Sequence, residues 1–256
     1  QVKDYSDARK KDFWHRIRYY ILTFTQKEAG FTTQVNENTL ICEMKPITYK
    51  IIEKLHKDLV VKSSDGKLIL GDTGVKLQQK THQLFSGTIK FEDGSTRVID
   101  TSKAEFIKEK FKGYKIGIFY KFIAELEMLK SVFKESLTTD LTEFDTTDKN
   151  IALQIVSGRE GISLRNADHL VFMNIDFSAV SYFQAKDRMT TLERKENTIF
   201  WIFAKNGIEE KIYKTVQGKK DYTNSTFKKD FNVRTTDSNK NNQQANKRWV
   251  ALSKSN

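Results

Sequence analysis

Two short stretches hold residues whose types and spacing could do chemistry. In "VSGREGISLRNADHLVFMNIDFS", residues 156–178, an Arg and a Glu stand between two glycines directly after the apolar run Ile151–Val156. Gly158 and Gly161 would let the backbone come close to a ligand and turn its amides toward an anion, a phosphate being the usual one. The same loop also fits an ordinary strand-to-helix turn with Arg159 and Glu160 in solvent. In "SAVSYFQAKDRMTTLERK", residues 178–195, Ser178 suits a helix N-cap, and Gln184 and Arg188, four apart, share one helical face. An amide and a guanidinium so placed, with Arg194 following, suit a nucleotide or phosphoryl group, because a guanidinium offers a planar fork of donors. A solvated surface helix is the other reading.

The elements around these stretches predict a parallel sheet. "YKIGIFY" (114–120), "IALQIV" (151–156), "HLVFMN" (169–174) and "NTIFWIF" (197–203) are short, apolar and rich in β-forming residues. Helical spacing runs between or after them, over 123–133, 179–189 and 208–216. Near-continuous apolar strands alternating with helices read as an α/β domain whose sheet is covered on both faces. In such a sheet, ligands sit outside the carboxyl ends of the strands, and the first of the two stretches lies at such an end.

Upstream, the apolar residues of "SDARKKDFWHRIRYYILTFTQKEAG" (6–30) recur at helical spacing and predict an amphipathic helix. "NTLICEM" (38–44) reads as a strand. Pro46 then opens a helix with Ile51, Leu55 and Leu59 on one face, and a shorter helix from Gly74 carries Val75, Leu77 and Leu84. "GTIKFEDGSTRVID" (87–100) reads as a hairpin turning at Asp93-Gly94, and "SKAE" from Ser102 as a capping box opening a helix through Phe111. Beyond Asn232 the sequence is polar and unpatterned, as a flexible tail would be.

Composition narrows the class. Of 256 residues, 38% are hydrophobic and no apolar run approaches the ~20 residues of a spanning helix, so no membrane partner is expected. No apolar leader follows Gln1, and a cytoplasmic location is expected. The lone Cys42 and four scattered histidines exclude a disulfide framework and any zinc site of recognisable spacing, so no metal site is assigned. Cys42 reads as a small buried side chain. A formal charge of +11 favours an anionic partner such as nucleic acid, or serves solubility alone.

In order, "YKIGIFYKF", "LQIVSGREGISLRNADHLVFMNIDFS", "YFQAKDRMTTLERK" and "IFWIFAKNGIEEKIYKTV" resemble helicase motifs IV, V and VI and the closing strand and helix of the second RecA-like lobe of Swi/Snf-type superfamily-two ATPases. The matches are Ser157-Gly158 with Gly161, Ser163-Leu164 and Ala167-Asp168; then Gln184-Ala185 with Asp187-Arg188; then Ile208-Glu209-Glu210 with Ile212. The overall character resembles the compact phage and mobile-element members, which would place the protein in the cytoplasm of a bacterial host. The resemblance implies a P-loop NTPase second lobe over 101–231, an interlobe helical segment with a hairpin over 1–100, and a polar tail over 232–256.

It further implies an ATP site shared between two lobes, the first holding Mg2+ and most of the nucleotide. Gln184 and Gly161 would meet the nucleotide, and Arg188 the γ-phosphate. Ser157, Gly158 and Arg159 would touch the DNA backbone. The family carries a second arginine three residues after the first; Thr191 stands there, and Arg194 lies one turn on, so the finger is Arg188 or Arg194. Lys121 and Glu193-Arg194 are further departures. No G-x-x-x-x-G-K-[ST] occurs and no Asp-Glu pair serves as a Walker B element, so this chain alone is expected not to turn over ATP. Two other readings stand beside the motor lobe. One is a non-catalytic nucleic-acid-binding module derived from it; the other is a cofactor-dependent α/β enzyme such as a methyltransferase, which fits the sheet but not the Gln184/Arg188 helix.

Overall fold

The computed structural model describes residues 35–155, 164–188 and 197–232, with 35, 185–188 and 197 through their backbone alone. The helix expected over 6–30 and the tail beyond Asn232 lie outside these residues. Within them the centre is a six-stranded, wholly parallel sheet in the order β1-β10-β9-β6-β8-β7. Its strands are β1 (Val35–Cys42), β6 (Ile116–Tyr120), β7 (Leu137–Thr138), β8 (Asn150–Gln154), β9 (His169–Phe172) and β10 (Asn197–Ala204). The α/β parallel architecture expected from the apolar runs is therefore the one observed. All five residues of β6 are buried, as a central strand covered on both faces requires.

Aromatic rows show what covers each face. Phe119, Phe172 and Trp201 stand in register across β6, β9 and β10, with ring centroids 4.7 and 4.3 Å apart. Over this row lie Tyr182 of α6 (Ala179–Arg188) and Tyr213 of α7 (Ile208–Gln217), 5.6 and 5.8 Å from Trp201. On the opposite face Phe200 meets Phe111, the residue that ends α3 (Ser102–Lys110), at 5.0 Å. Helix α4 (Ile123–Phe133) packs beside α3.

The segment between β1 and α3 forms its own layer: α1 (Pro46–Asp58), a hairpin of β2 (Val60–Lys62) and β3 (Leu68–Leu70), α2 (Gly74–Phe85), and a hairpin of β4 (Thr88–Lys90) and β5 (Thr96–Val98). The second hairpin turns where Asp93-Gly94 predicts, with Gly94 at φ 85°. The first hairpin was not legible, nor were β7, α5 (Leu141–Thr146) and α8 (Asn224–Asp230). The boundary expected between residues 100 and 101 falls between β1 and the rest of its sheet.

Two local expectations are corrected. Helix α1 buries Thr48, Ile52 and Leu55 rather than Ile51, Leu55 and Leu59. Leu59 ends the helix in the left-handed conformation at φ 61°, and the Thr48 hydroxyl is drawn inward by Asp100 Oδ2 at 2.6 Å. Nor does Ser102 cap α3 in a box with Glu105. Thr101 is the cap residue and donates its hydroxyl to Glu105 Oε1 at 2.7 Å, while the Ser102 amide and hydroxyl go to Asp100 Oδ1 at 2.9 and 2.6 Å. Among the described residues, no helix is long and apolar enough to cross a membrane.

Candidate functional site

The carboxyl end of the sheet gathers the turns after β6, β8 and β9. After β6 the chain bends at Lys121-Phe122 because the fully buried Glu125 takes both amides on Oε2, at 2.7 and 2.8 Å. Glu125 Oε1 accepts Asn174 Nδ2 at 2.8 Å from the turn after β9, and Asn174 Oδ1 accepts the Ile175 amide at 2.8 Å. Burial raises the Glu125 carboxyl above its ordinary pKa, against the lowering effect of the Phe122 and Asn174 bonds. At the mouth, Lys121 Nζ lies 3.2 Å from Asp176 Oδ2 and 5.0 Å from the Phe177 ring centre.

The expected loop after β8 is fixed at both ends, although 156–163 themselves lie outside the described residues. Gln154 Nε2 donates to the Lys121 carbonyl at 3.2 Å, and the Ile155 amide to Tyr120 at 2.8 Å. On the return, Leu164 is buried against Gly117, where a Cβ would meet Leu164 Cδ1 at 2.6 Å, so a larger residue there would have to push that leucine aside. Asp168 then exchanges two bonds with the Lys115 backbone, both 2.7 Å, at the start of β6.

Helix starts at this end of the sheet carry partial positive charge that would attract phosphate. Here the chain's own carboxylates occupy them. Asp100 serves α3 and the Lys45 amide ahead of α1 at 2.7 Å; Glu125 serves α4; Asp221 Oδ1 takes the Ala179 amide of α6 at 2.8 Å, with Ser178 Oγ accepting from Ser181 at 3.4 Å as the N-cap reading expects. For Asp100, burial would raise the pKa, but bonds from Ser102 and Thr48 prevail and hold it low. Glu209, in the first turn of α7, is wholly buried and ion-paired with the equally buried Lys103, whose Nζ also reaches the Met173 carbonyl at 3.3 Å. Among the described residues, then, the starts of α3, α4 and α6 each have an amide bonded to one of the chain's own carboxylates.

Of the expected site residues, Gln184 sits exposed on α6 and Arg188 is the last residue of that helix, described through its backbone. Ser157, Gly158, Arg159, Gly161 and Arg194 lie outside the described residues. Cys42 is buried as expected, and burial pushes its thiol up to about 11, which removes it as a nucleophile near neutral pH. Sequence reading missed Glu125, Asn174 and Glu37. For Glu125 a signal existed, an acidic residue at the third position of a helix; the other two act across the fold and leave no local trace. The fully buried His82 of α2 was missed as well. It packs on Phe122 and Phe177 at 5.3 and 4.8 Å, beside the Asn174 side chain.

No protein-family model matches the sequence, and no curated sequence matches it. Solved structures do resemble its fold. The C-terminal part of the Fun30 ATPase domain matches with a TM-score of 0.50 at 17% identity, over 71% of this chain and 89% of that one. The Sulfolobus solfataricus SWI2/SNF2 ATPase core in complex with dsDNA matches with a TM-score of 0.51 at 16% identity, over 86% of this chain and 51% of that one. The chain thus spans about half the length of the archaeal core. The fold is that of the RecA-like lobe of SNF2 ATPases.

Proposed function

We propose that this chain is the second motor lobe of an ATP-dependent DNA helicase or translocase of the Swi/Snf type. The observation that carries the reading is the coincidence of that lobe's fold with the order of the sequence blocks that resemble its motifs. In this reading the ATP site is shared with a first RecA-like lobe of the same polypeptide, which supplies the phosphate loop and the Mg2+ ligands.

Gln184, with Gly161, faces the nucleotide; Arg188 or Arg194 is the finger that stabilises charge on the transferred phosphoryl group, an effect worth ~10³ or more in rate. Ser157, Gly158 and Arg159 hold the DNA backbone, so that closure of the cleft is coupled to movement along the duplex. The Glu125–Asn174 bond keeps the turn after β6 against the turn that leads into α6, which keeps the lobe's contributions in one frame.

The experiment is DNA-stimulated ATP hydrolysis by this chain alone and by a polypeptide that includes a first lobe upstream. Turnover in the longer polypeptide alone is the expected result. No turnover in either, with salt-sensitive DNA binding retained, would instead identify a non-catalytic nucleic-acid-binding module.

A further inference from the structure

Helix α6 carries Gln184 and Arg188, and its side chains are described from Ala179 to Gln184. Ala179 and Tyr182 are its buried residues among those whose side chains are described, while Val180 and Gln184 are exposed. Its neighbour α7 buries Ile208, Glu209, Ile212, Tyr213 and Val216. Among its described side chains Tyr182 is the largest that is buried, with Phe183 packed partly buried beside it. Tyr182 lies two residues before Gln184 and, at about 100° per residue, on the other side of the helix.

The Tyr182 hydroxyl donates to Glu37 Oε2 at 2.8 Å. That same oxygen accepts Trp201 Nε1 and the Tyr213 hydroxyl, each at 3.1 Å. One acceptor from edge strand β1 thus collects donors from α6, β10 and α7, inside a ring of aromatic groups less than 6 Å apart. All three partners are donors, which suits an ionised carboxylate, and hydrogen bonds to a charged acceptor are roughly twice as strong as neutral ones. Burial, and then Glu37 itself, push both phenols up, that of Tyr213 to about 12, so they stay protonated donors through the physiological range.

We infer that Glu37 is a positioning residue of the proposed ATP site: it sets the pitch of α6 through Tyr182 and thereby where Gln184 and Arg188 meet the nucleotide. The inference rests on the proposed function. It gives β1, which lies ahead of the expected domain boundary, a part in the site.

The test uses the two-lobe polypeptide with Glu37→Ala, Glu37→Gln and Tyr182→Phe, reading hydrogen exchange in residues 179–188 alongside ATP kinetics. Glu37→Ala is expected to speed exchange in α6 by about tenfold or more while β6 and β9 keep their protection. It should also lower kcat by about tenfold or more with KM for ATP changed less than about twofold. Tyr182→Phe should give a weaker form of the same pattern, and Glu37→Gln, which keeps an acceptor oxygen, should recover most of kcat. Unchanged exchange in α6, or an unchanged kcat over a loosened helix, overturns the inference. So does loss of protection throughout the sheet with Gln no better than Ala, which marks Glu37 as merely structural. A wild-type polypeptide that hydrolyses no ATP with DNA overturns the proposed function instead, and α6 exchange then still decides whether Glu37 anchors that helix.

Discussion

Glu125 Oε1 accepts the side-chain amide of Asn174 at 2.8 Å with both residues wholly buried, and so bolts the turn after β6 to the turn after β9. The other oxygen of the same carboxylate takes the Lys121 and Phe122 amides. One side chain therefore serves three donors, two amides at the turn after β6 and the wholly buried Asn174.

Removing it strands those donors. Glu125→Ala should cost about 3–5 kcal/mol, since each buried donor left unsatisfied costs roughly 1–3 kcal/mol and relaxation recovers part. Asn174→Ala, which leaves the backbone amides served, should cost about 1–3 kcal/mol. Urea denaturation of the two variants gives both values, and equal losses would show that the backbone bonds add nothing.

The Lys103–Glu209 pair, fully buried on both sides, makes a sharper prediction. Lys103→Met leaves an uncompensated carboxylate in the core and should cost about 3–5 kcal/mol. Glu209→Leu in the same background should restore much of it, because replacing both charges removes the desolvation penalty along with the attraction. A double-mutant cycle by denaturation checks this; additive losses would mean that the pair is not coupled.

His82 predicts a pH dependence. Burial first, then the Lys121 and Lys103 charges, hold its imidazole well below the ordinary 6.5. The unfolded state thus binds a proton that the folded state refuses, so stability is full above pH 6.5 and falls as pH drops below it, by up to about 1.4 kcal/mol per pH unit for one proton. His56, also lowered by burial, acts in the same direction. In denaturation curves between pH 7 and pH 5, His82→Leu should flatten the acid slope by about one proton's worth; an unaltered slope would remove His82 as its source.

For the proposed motor, Arg188→Ala in the two-lobe polypeptide should lower ATP turnover by about 10³ or more while DNA affinity stays near normal. Arg194→Ala is the companion, and whichever loses turnover is the finger. Arg159→Ala should weaken DNA binding evenly across sequences and make it less dependent on salt, because phosphate contacts carry no base information. A titration of DNA binding against salt reads that directly.

Sequence alone determined the parallel α/β class, because apolar β-rich runs such as Ile116–Tyr120 and His169–Phe172 state their burial in their own composition. It also determined the helices at Pro46, Ile123, Ala179 and Ile208, and the turn at Asp93-Gly94, whose signals lie within a few residues of the elements they start or bend. What only the tertiary structure decided are the links between distant segments: Glu37 under Tyr182, Glu125 against Asn174, Lys103 paired with Glu209, Asp100 serving two helices at once. The same is true of His82, which is neutral and buried because α2 folds onto the turns after β6 and β9. A carboxylate in the sequence gives no sign of whether it will face water or gather three donors from distant parts of the chain. That depends on which strands become neighbours, and the placement of Val35–Cys42 beside Asn197–Ala204 in the sheet is a choice made by packing across more than 150 residues of chain.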